Sequence, residues 1–430
     1  MSGGVKATAP SRRSFLAAAG GLAAAAGAGF AAGLATTAGQ ETAAAARPPE
    51  TAGVEPFWGA HQAGITTPPQ RHTYFAALDL LAQKREEVAA MLRSWTAAAA
   101  RMAKGESAAT LDAQADEAAP GDSGEAIGLP PSRLTLTFGF GPGLFIKDGK
   151  DRYGLAAQRP AALVDLPRFN GDQLVAARTG GDLSVQACAD DPQVAFHAVR
   201  QLARLAYGAA EIRWAQSGFT GGDASKGTPR NLMGFKDGTQ QPKPDELDEV
   251  VWVGSEGPAW MRGGSYAVVR RIRIALEHWD RMELNFQEQV IGRRKYSGAP
   301  LGGKGEFDAL DLDAADRDGN PIIPESAHVR LAAAASNGGA QMLRRGYSYN
   351  DGVSFTAERW PPWRQGMEYD AGLLFVCYQR DPRTGFIKVF ETMSKLDMLN
   401  QFVTHTGGGL FACPPGAAEG EFIGQKLFMT

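Results

Sequence analysis

The run Gly234-Phe235-Lys236-Asp237-Gly238-Thr239 is the most informative stretch of this 430-residue chain. It places one carboxylate, that of Asp237, in a segment bounded by two glycines and preceded by an aromatic residue. Glycine permits positive φ angles and lets the backbone approach a flat partner closely. An aspartate in such a turn can point into a cavity instead of toward water. The run therefore predicts a binding or catalytic loop.

Two further groups follow along the chain. An imidazole is offered by His328, and a guanidinium pair opens the run Arg344-Arg345-Gly346-Tyr347-Ser348-Tyr349. In a haem peroxidase an imidazole can provide the axial ligand, an acid can carry the proton and a guanidinium can stabilise the developing charge. Each signal is weak when taken singly, so the order of the three groups and their flanking residues carry the interpretation.

The composition narrows the class of protein. A hydrophobic content of 44% and a charged content of 21% are typical of a soluble globular protein. The net charge of -3 gives no global attraction to nucleic acid or anionic lipid, so neither is expected as a partner. The length suffices for two domains or one large α+β unit. The chain has 3 cysteines, an odd number that does not make a disulfide framework, and Cys377 lies in an apolar run that predicts burial.

The N-terminal segment has the pattern of an export signal. Residues 11–16 (SRRSFL) match the twin-arginine signature, an Ala/Gly stretch follows to about Ala38, and residues 43–46 offer small side chains for cleavage. We predict that residues 1–46 are a signal peptide and that the mature protein is extracellular, at the cell surface or periplasmic. The alternative is a retained membrane anchor. No later segment is apolar for long enough to predict an integral span.

The first half of the mature chain predicts alternating strands and helices. Apolar alternation predicts strands over 75–80, 134–140 and 183–189, and helical spacing predicts helices over 84–102 and from Asp191-Pro192 to about Tyr207. The polar segment 105–128 between them predicts an exposed loop. This order favours an α+β layer with helices on one face of a sheet.

The second half repeats a similar order. It predicts a strand with one polar face over 265–276, a helix over 277–290, an acidic loop over 303–326 and a buried strand over 371–379. The repetition hints at a duplicated fold. The acidic loop lacks the first ligand of a calcium-binding loop, so we interpret it as solvated.

The sequence pattern only partly separates the histidines that could ligate a metal from those that could not. His197 has polar neighbours at helical spacing, which predicts a surface or interface position. His328 and His405 both stand in segments compatible with a ligand, and the pattern alone does not separate them.

These residues resemble the dye-decolourising peroxidase family, in its exported, deferrochelatase-like branch. The GxxDG motif of that family corresponds to residues 234–238, its proximal-ligand segment to 326–330 and its distal arginine to Arg344. Further similar stretches lie at 61–65, 187–191, 291–295, 372–379 and 407–411. The similarity extends over most of the chain after about Val54.

The resemblance implies a fold class and a domain organisation. The expected class is α+β, with two ferredoxin-like domains in which helices pack on antiparallel sheets. The expected boundaries are 47–230 for the N-terminal domain and 231–430 for the C-terminal domain, which would hold most of the haem contacts.

It also implies a role for each site residue. The resemblance selects His328 as the iron ligand of one haem b per chain, Asp237 as the acid–base residue and Arg344 as the catalytic cation. The residues expected to contact the cofactor are Gly234, Phe235, Lys236, Gly238, Thr239, Arg293, Leu373 and Phe375. A carboxylate partner for the second nitrogen of His328 is also expected; Gln401 aligns best with it, and Asp397 is close by.

The implied activity is reduction of hydrogen peroxide with oxidation of dyes, phenols or other bulky reductants through an oxoferryl intermediate. Such reductants cannot enter a closed pocket, so electrons are expected to pass through surface aromatic residues, with Tyr347, Tyr349, Trp360 and Trp363 as candidates. Two alternatives remain: a deferrochelatase that releases iron from haem with the porphyrin intact, or a non-enzymatic exported haem-binding protein. A homo-oligomer is left open.

Overall fold

The computed structural model describes residues 53–111, 119–221, 227–357 and 365–429, so the predicted signal peptide lies outside the described residues. The strands in these ranges are β1 (His72–Leu80), β2 (Thr135–Phe140), β3 (Leu183–Ala189), β4 (Ala210–Phe219), β5 (Ser265–Ile274), β6 (Leu343–Arg344), β7 (Tyr347–Ala357), β8 (Gln365–Gln379) and β9 (Val403–Cys413). The α-helices in the same ranges are α1 (Arg85–Met102), α2 (Pro192–Leu205), α3 (Leu247–Val250), α4 (Leu276–Trp279), α5 (Leu284–Ile291), α6 (His328–Ala332), α7 (Phe386–Leu396) and α8 (Gln425–Phe428). None of the helices within the described ranges is long and apolar enough to cross a membrane.

The strands form one antiparallel sheet that closes on itself. Its order is β5-β9-β2-β3-β1-β4-β7-β8, and β8 pairs in turn with β5. The short strand β6 lies against β8 just beyond the end of the β7 pairing. Closure gives each strand of the ring a hydrogen-bonded neighbour on both sides.

The same strand order occurs twice around the ring. In the first half β1 lies between β3 and β4, with β2 beyond β3; in the second half β5 lies between β8 and β9, with β7 beyond β8. The two halves meet at β2–β9 and β4–β7, where the aligned pairs in the described chain are Phe140 with Ala412 and Phe219 with Ser348. The duplicated order predicted from the sequence is therefore present in the strand topology.

The predicted elements of the first half are confirmed. Helix α2 begins after Asp191, whose carboxylate accepts the backbone N–H groups of Gln193 at 2.7 Å and Val194 at 3.2 Å. The indole of Trp95 on α1 donates to the backbone carbonyl of Leu202 on α2 at 2.7 Å. Both helices contribute apolar side chains to a core shared with β1, β2 and β3.

The predicted exposed loop and the predicted surface position of His197 are wrong in part. Asp122 and Glu125 fold back over α2, so that His197 is buried with its Nε2 3.4 Å from Asp122 and its Nδ1 3.2 Å from Glu125. The Asp122 carboxylate also accepts the backbone N–H groups of Ala108 and Gly124. The polar residues at helical spacing predicted a solvent-exposed helix face, whereas they bind polar residues of the loop that covers this face.

The single helix predicted over 277–290 is also wrong, because α4 and α5 are separate. The turn after α4 is closed by the backbone N–H of Met282, which donates to the Trp279 carbonyl at 3.0 Å. The side-chain amide of Gln287 on α5 donates to the same carbonyl at 3.0 Å and to that of Met282 at 3.1 Å. A side chain of the second helix thus adds a bond to the last carbonyl group of the first helix and binds the turn between the two helices.

The predicted polar face of β5 is wrong as well. Arg270 and Arg271 are both buried. Arg270 pairs with Asp172, and Arg271 donates to Asp351 and Asp370 at 2.8 Å each. Guanidinium groups can occupy a buried strand when each meets a carboxylate. The charges that predicted exposure are instead neutralised inside the protein.

All three cysteines are free and buried. Burial raises the pKa of the Cys377 thiol to about 12 and that of Cys413 likewise to about 12. The prediction that Cys377 is a buried residue is confirmed.

Candidate active site

The segment that ends at Asp237 is a short hairpin. The backbone N–H of Asp237 donates to the carbonyl of Pro229 at 2.9 Å, and that of Asn231 donates to the carbonyl of Phe235 at 2.9 Å. Gly234 lies at the tip with a φ of +83°, which explains the first glycine of the motif. The hairpin therefore presents Asp237 at its open end, next to Pro229.

Three of the predicted cofactor contacts anchor this loop. Phe235 is buried against Trp279, with ring centroids 6.0 Å apart. Lys236 forms an ion pair with Glu306, and the hydroxyl of Thr239 lies 3.3 Å from the same carboxylate. These contacts hold the loop in place, and a direct contact of the three residues with a cofactor stays a prediction.

Asp237 lies beside Arg344. Their closest side-chain atoms, Oδ1 and Nη1, are 3.6 Å apart, and both side chains are about one-third exposed, at 34% and 30%. The amide of Asn231 lies 3.4 Å from the other carboxylate oxygen of Asp237. An acid and a fixed cation are thus close together and accessible to a small molecule.

Arg344 is held by residues that follow Asp237 in the sequence. The side chain of Gln241 donates to the Arg344 carbonyl at 2.8 Å and accepts its backbone N–H at 3.0 Å. The guanidinium donates to the carbonyl of Gln240 at 2.7 Å. These two glutamines were not predicted, and nothing in the local sequence distinguishes them from other polar loop residues.

His328 begins α6 and has the carboxylate partner expected for a metal-ligating imidazole. Its Nδ1 lies 2.7 Å from Oδ2 of Asp397, while the other oxygen of Asp397 accepts the backbone N–H of Leu399 at 2.8 Å. The partner is therefore Asp397, and not Gln401, which aligned best by sequence. An aspartate directly before the turn that starts at Met398 has the pattern of a cap, a signal that could have indicated this position.

The charges around His328 connect it to the acid–cation pair. Burial lowers the pKa of the imidazole, whereas the charge and hydrogen bond of Asp397 raise it, and the net pKa is above its ordinary value. The charge of Asp237 also raises this pKa, and that of Arg344 lowers it. The structure thus brings the three predicted catalytic and metal-ligating residues into one electrostatic environment.

His405 lies in a different environment. It is buried, and its Nδ1 is 3.0 Å from Nε of Arg270. Burial, together with the charge of Arg270, lowers its pKa well below the ordinary value. Of the two histidines that the sequence pattern left open, His328 is the one beside the acid–cation pair.

The residues present fit a haem. Nδ1 of His328 is oriented by Asp397, and within the described ranges no hydrogen bond reaches its Nε2, so that nitrogen can bind iron. Leu373 and Phe375 alternate on β8 and are only half-buried, as expected for apolar side chains that can cover a flat ligand. Phe375 packs 5.8 Å from Phe386 on α7.

Arg293 is buried and contacts Glu306, the residue that pairs with Lys236 of the Asp237 loop. Its Nη1 donates to the carbonyls of Gly298 at 2.8 Å and Glu306 at 2.9 Å. Burial lowers the pKa of its guanidinium, Glu306 raises it and Arg344 lowers it, with a net lowering. The group is close to Arg344, and its pairing with a propionate stays a prediction.

The predicted surface route for electrons is wrong for two of its four members. Tyr347 and Tyr349 are fully buried inside the ring of strands, at 1% and 0% exposure. Ser348, which lies between them on β7, is buried as well, so this part of the strand offers no surface aromatic side chain. Trp360 and Trp363 lie outside the described residues.

The fold and the site together define a class of protein. An imidazole oriented by a carboxylate, an acid–cation pair in the same electrostatic environment and half-buried apolar side chains form the arrangement of a haem peroxidase. A closed antiparallel sheet with packed helices holds these groups.

Comparison with known proteins identifies the family. The sequence model of the N-terminal part of Dyp-type peroxidases matches residues 62–220, and that of the C-terminal part matches residues 228–418. A dye-decolorizing peroxidase of Thermobifida fusca is 41% identical over 405 residues, which span 89% of this chain and 86% of the relative. A deferrochelatase of Yersinia pestis is 38% identical over 404 residues, with 90% and 89% covered. This chain belongs to the Dyp-type peroxidase family.

Solved structures agree with this assignment. Ferric DtpA from Streptomyces lividans superposes with a TM-score of 0.79 at 44% identity, covering 90% of this chain and 100% of that one. A DyP-type peroxidase from Cellulomonas bogoriensis gives a TM-score of 0.77 at 38% identity, covering 88% and 98%. The predicted family and the α+β class with an antiparallel sheet are therefore confirmed.

Proposed function

We propose that this haem peroxidase uses Asp237, Arg344 and His328 as its reaction centre, with one haem b bound between β8 and α6. The observation that carries the proposal is the joint placement of these residues: Asp397 orients His328, and the charges of Asp237 and Arg344 both act on that imidazole. Members of this family take hydrogen peroxide as oxidant, and dyes or phenols are the expected reductants.

Each residue has a defined task in this proposal. Haem, when bound, supplies the iron that activates the O–O bond of peroxide. The Asp237 carboxylate would take a proton from the peroxide oxygen that binds at the haem and return it to the other oxygen, which leaves as water. The guanidinium of Arg344, held by Gln240 and Gln241, stabilises the negative charge that develops there. Asp397 keeps the proton of His328 on Nδ1, which would leave Nε2 available to ligate the haem iron.

The site is built by the second half of the fold. The repeated strand order supports two ferredoxin-like domains, over 47–230 and 231–430, with haem held mainly by the second. All eight predicted cofactor contacts, from Gly234 to Phe375, lie in that half.

We also propose export through the twin-arginine route, supported by the run at 11–16. Replacing Arg12 and Arg13 by lysine would retain the protein in the cytoplasm. Recovery of mature protein outside the cytoplasm from that variant would contradict the proposal.

Stopped-flow absorption spectroscopy tests the reaction centre. The wild-type protein should show a Soret band that changes within milliseconds of adding peroxide. His328→Ala should abolish or shift that band, and Asp237→Asn should keep the band but react at least about 100-fold more slowly. A His328→Ala spectrum identical to that of the wild type would refute the ligand assignment.

Iron release remains a second candidate, because the relative from Yersinia pestis is a deferrochelatase. That reaction would leave free protoporphyrin, which fluoresces, whereas peroxide turnover leaves the haem intact. Fluorescent porphyrin in proportion to enzyme cycles, without oxidation of an added dye, would favour iron release over peroxidase activity.

A further inference from the structure

The loop that carries Asp237 is closed as a hairpin, but it leaves the Asp237 carboxylate with few contacts. Gly238 follows Asp237 with a φ of +111°, and Gly234 lies three positions before it with a φ of +83°. Among the described residues, the Asp237 backbone N–H bonds to Pro229, and the side chain has a 3.4 Å contact with Asn231 and a 3.6 Å contact with Arg344 as its polar contacts. Since these contacts are few or long, the position of the carboxylate must be set largely by the residues beside it.

Residues on both sides of Asp237 end on one carboxylate, that of Glu306. Lys236 pairs with Oε2 of Glu306. The other oxygen, Oε1, lies 3.3 Å from the hydroxyl of Thr239 and accepts the backbone N–H of Thr228 at 3.2 Å. Glu306 therefore holds the chain immediately before and shortly after the acid. Through Thr228 it also holds the other side of the hairpin.

The contact is enclosed, unlike a surface ion pair. The side chains of Lys236 and Glu306 are 14% and 8% exposed. A Cβ on Gly227 would lie 2.8 Å from Nζ of Lys236, and one on Gly298 would lie 2.7 Å from its Cδ. The lysine thus passes between two glycines, both with positive φ, where a side chain on either would clash with it. Breaking an enclosed pair of this kind costs much more than breaking an exposed one.

Glu306 also reaches the other cation of the site. Its backbone carbonyl accepts Nη1 of Arg293 at 2.9 Å. The Lys236 ammonium and the Thr228 bond keep the pKa of the Glu306 carboxyl below its ordinary value despite burial, so the group is charged at neutral pH. One residue of the acidic loop, which the sequence predicted to be merely solvated, thus joins the Asp237 loop to Arg293.

We propose that Glu306 is a positioning residue of the peroxidase reaction, which acts through Lys236 and Thr239 to set the place of the Asp237 carboxylate. The inference rests on the proposed function of Asp237. In this view Lys236 serves the loop and not the cofactor. We call the contacts of Glu306 with Lys236 and Thr239 the clamp. Because displacement of a catalytic group by about 1 Å can cost about 100-fold in rate, loss of the clamp should slow the peroxide step selectively.

A double-mutant cycle tests this role with Lys236→Met, Glu306→Gln and the pair combined, each as haem-loaded protein. The matched control is Glu256→Gln, which breaks the exposed ion pair with Arg380. The measured quantities are the Soret band, the unfolding midpoint, the bimolecular rate constant with peroxide and the KM for a dye. We expect the single variants to react with peroxide about 10- to 100-fold more slowly, with an unchanged Soret band and dye KM. The control should match the wild type.

The combined variant separates positioning from stability. Removing both charges avoids an unpaired buried ion, so the unfolding midpoint should return toward that of the wild type. The peroxide rate constant should stay low, because the two replaced side chains no longer form an ion pair that holds the loop. Recovery of the rate together with the midpoint would overturn the inference. So would single variants that react at the wild-type rate.

A gentler variant covers the case in which the neutral variants do not fold. Thr239→Val removes one contact to Glu306 and keeps the ion pair, so it should slow the peroxide step by about 3- to 10-fold; an unchanged rate would count against the clamp. If the wild type itself fails to react with peroxide, the proposed function falls and this inference falls with it. If the wild type and all these variants react alike, only the clamp is refuted.

Discussion

Replacement of Asp397 by asparagine gives the most direct test of how the imidazole is oriented. The carboxylate accepts Nδ1–H of His328 at 2.7 Å through one oxygen and the backbone N–H of Leu399 at 2.8 Å through the other. An asparagine can keep the bond to Leu399, since its amide oxygen also accepts, but it removes the negative charge beside the ring. The change therefore removes the charge and the hydrogen bond to the ring while it keeps the capping contact.

The magnitude follows from the kind of bond that is lost. A hydrogen bond to a charged group contributes about 1.5–3 kcal/mol, which corresponds to about 10- to 100-fold in an equilibrium constant. Loss of a partner behind a ligating histidine typically costs the same range in metal affinity. We expect Asp397→Asn to bind haem about 10- to 100-fold more weakly and to show a higher iron reduction potential, because the ring donates less electron density.

The assay is titration of haem-free protein with haem, followed at the Soret band, together with a spectroelectrochemical measurement of the potential. Asp397→Ala is the comparison variant, because it removes both contacts and should also lower the unfolding midpoint. Equal haem affinity and equal potential in Asp397→Asn and wild type would refute the orienting role of the carboxylate.

Three other predictions follow from the same contacts. Arg344→Ala should lower the peroxide rate constant by about 100- to 1000-fold, and Arg344→Lys should lie between this variant and wild type because it keeps the charge but not the fork geometry; equal loss in both would show that charge alone is not the contribution. Phe235→Ala should destabilise the protein by about 3–5 kcal/mol in urea unfolding, since the ring is 2% exposed, whereas a mainly cofactor-facing ring would change haem affinity instead. Bonds from Ser123, Arg200 and His197 outweigh burial and lower the pKa of Glu125 to about 2 from 4.5, so the stability that its charge contributes is complete above pH 4.5 and is lost as the pH falls toward 2. The unfolding free energy of the wild type should then exceed that of Glu125→Gln by more at pH 7 than at pH 3 in the same assay, and a pH-independent difference would contradict that origin.

The elements with strong local signals were predictable. Strand β3 has an uninterrupted β-type pattern, α1 lacks glycine and proline, and α2 has an aspartate cap followed by proline, so local chemistry determined their type and bounds. The break between α4 and α5 was not predictable, because it depends on Gln287 reaching back to carbonyl groups of the preceding turn. Tertiary contacts of this kind leave no periodic signal.

The site divides in the same way. The GxxDG run predicted Asp237 as a candidate, its glycines have positive φ angles, and the structure places Asp237 beside Arg344. The pattern could not choose between His328 and His405, because the choice depends on which imidazole meets Asp397 and which meets Arg270. Residues that only hold others, such as Gln241 and Glu306, are ordinary polar residues in the sequence. Their importance comes from partners that lie far away along the chain.

The enclosed thiols have a consequence for an enzyme that consumes an oxidant. Peroxide attacks the thiolate form of cysteine, and both Cys377 and Cys413 are kept protonated by their apolar surroundings. Cys188, too, has only 1% of its surface open to solvent. These three thiols are therefore protected from peroxide while the protein is folded, and sulfenic acid appearing at any of these positions would mark molecules that had opened during turnover.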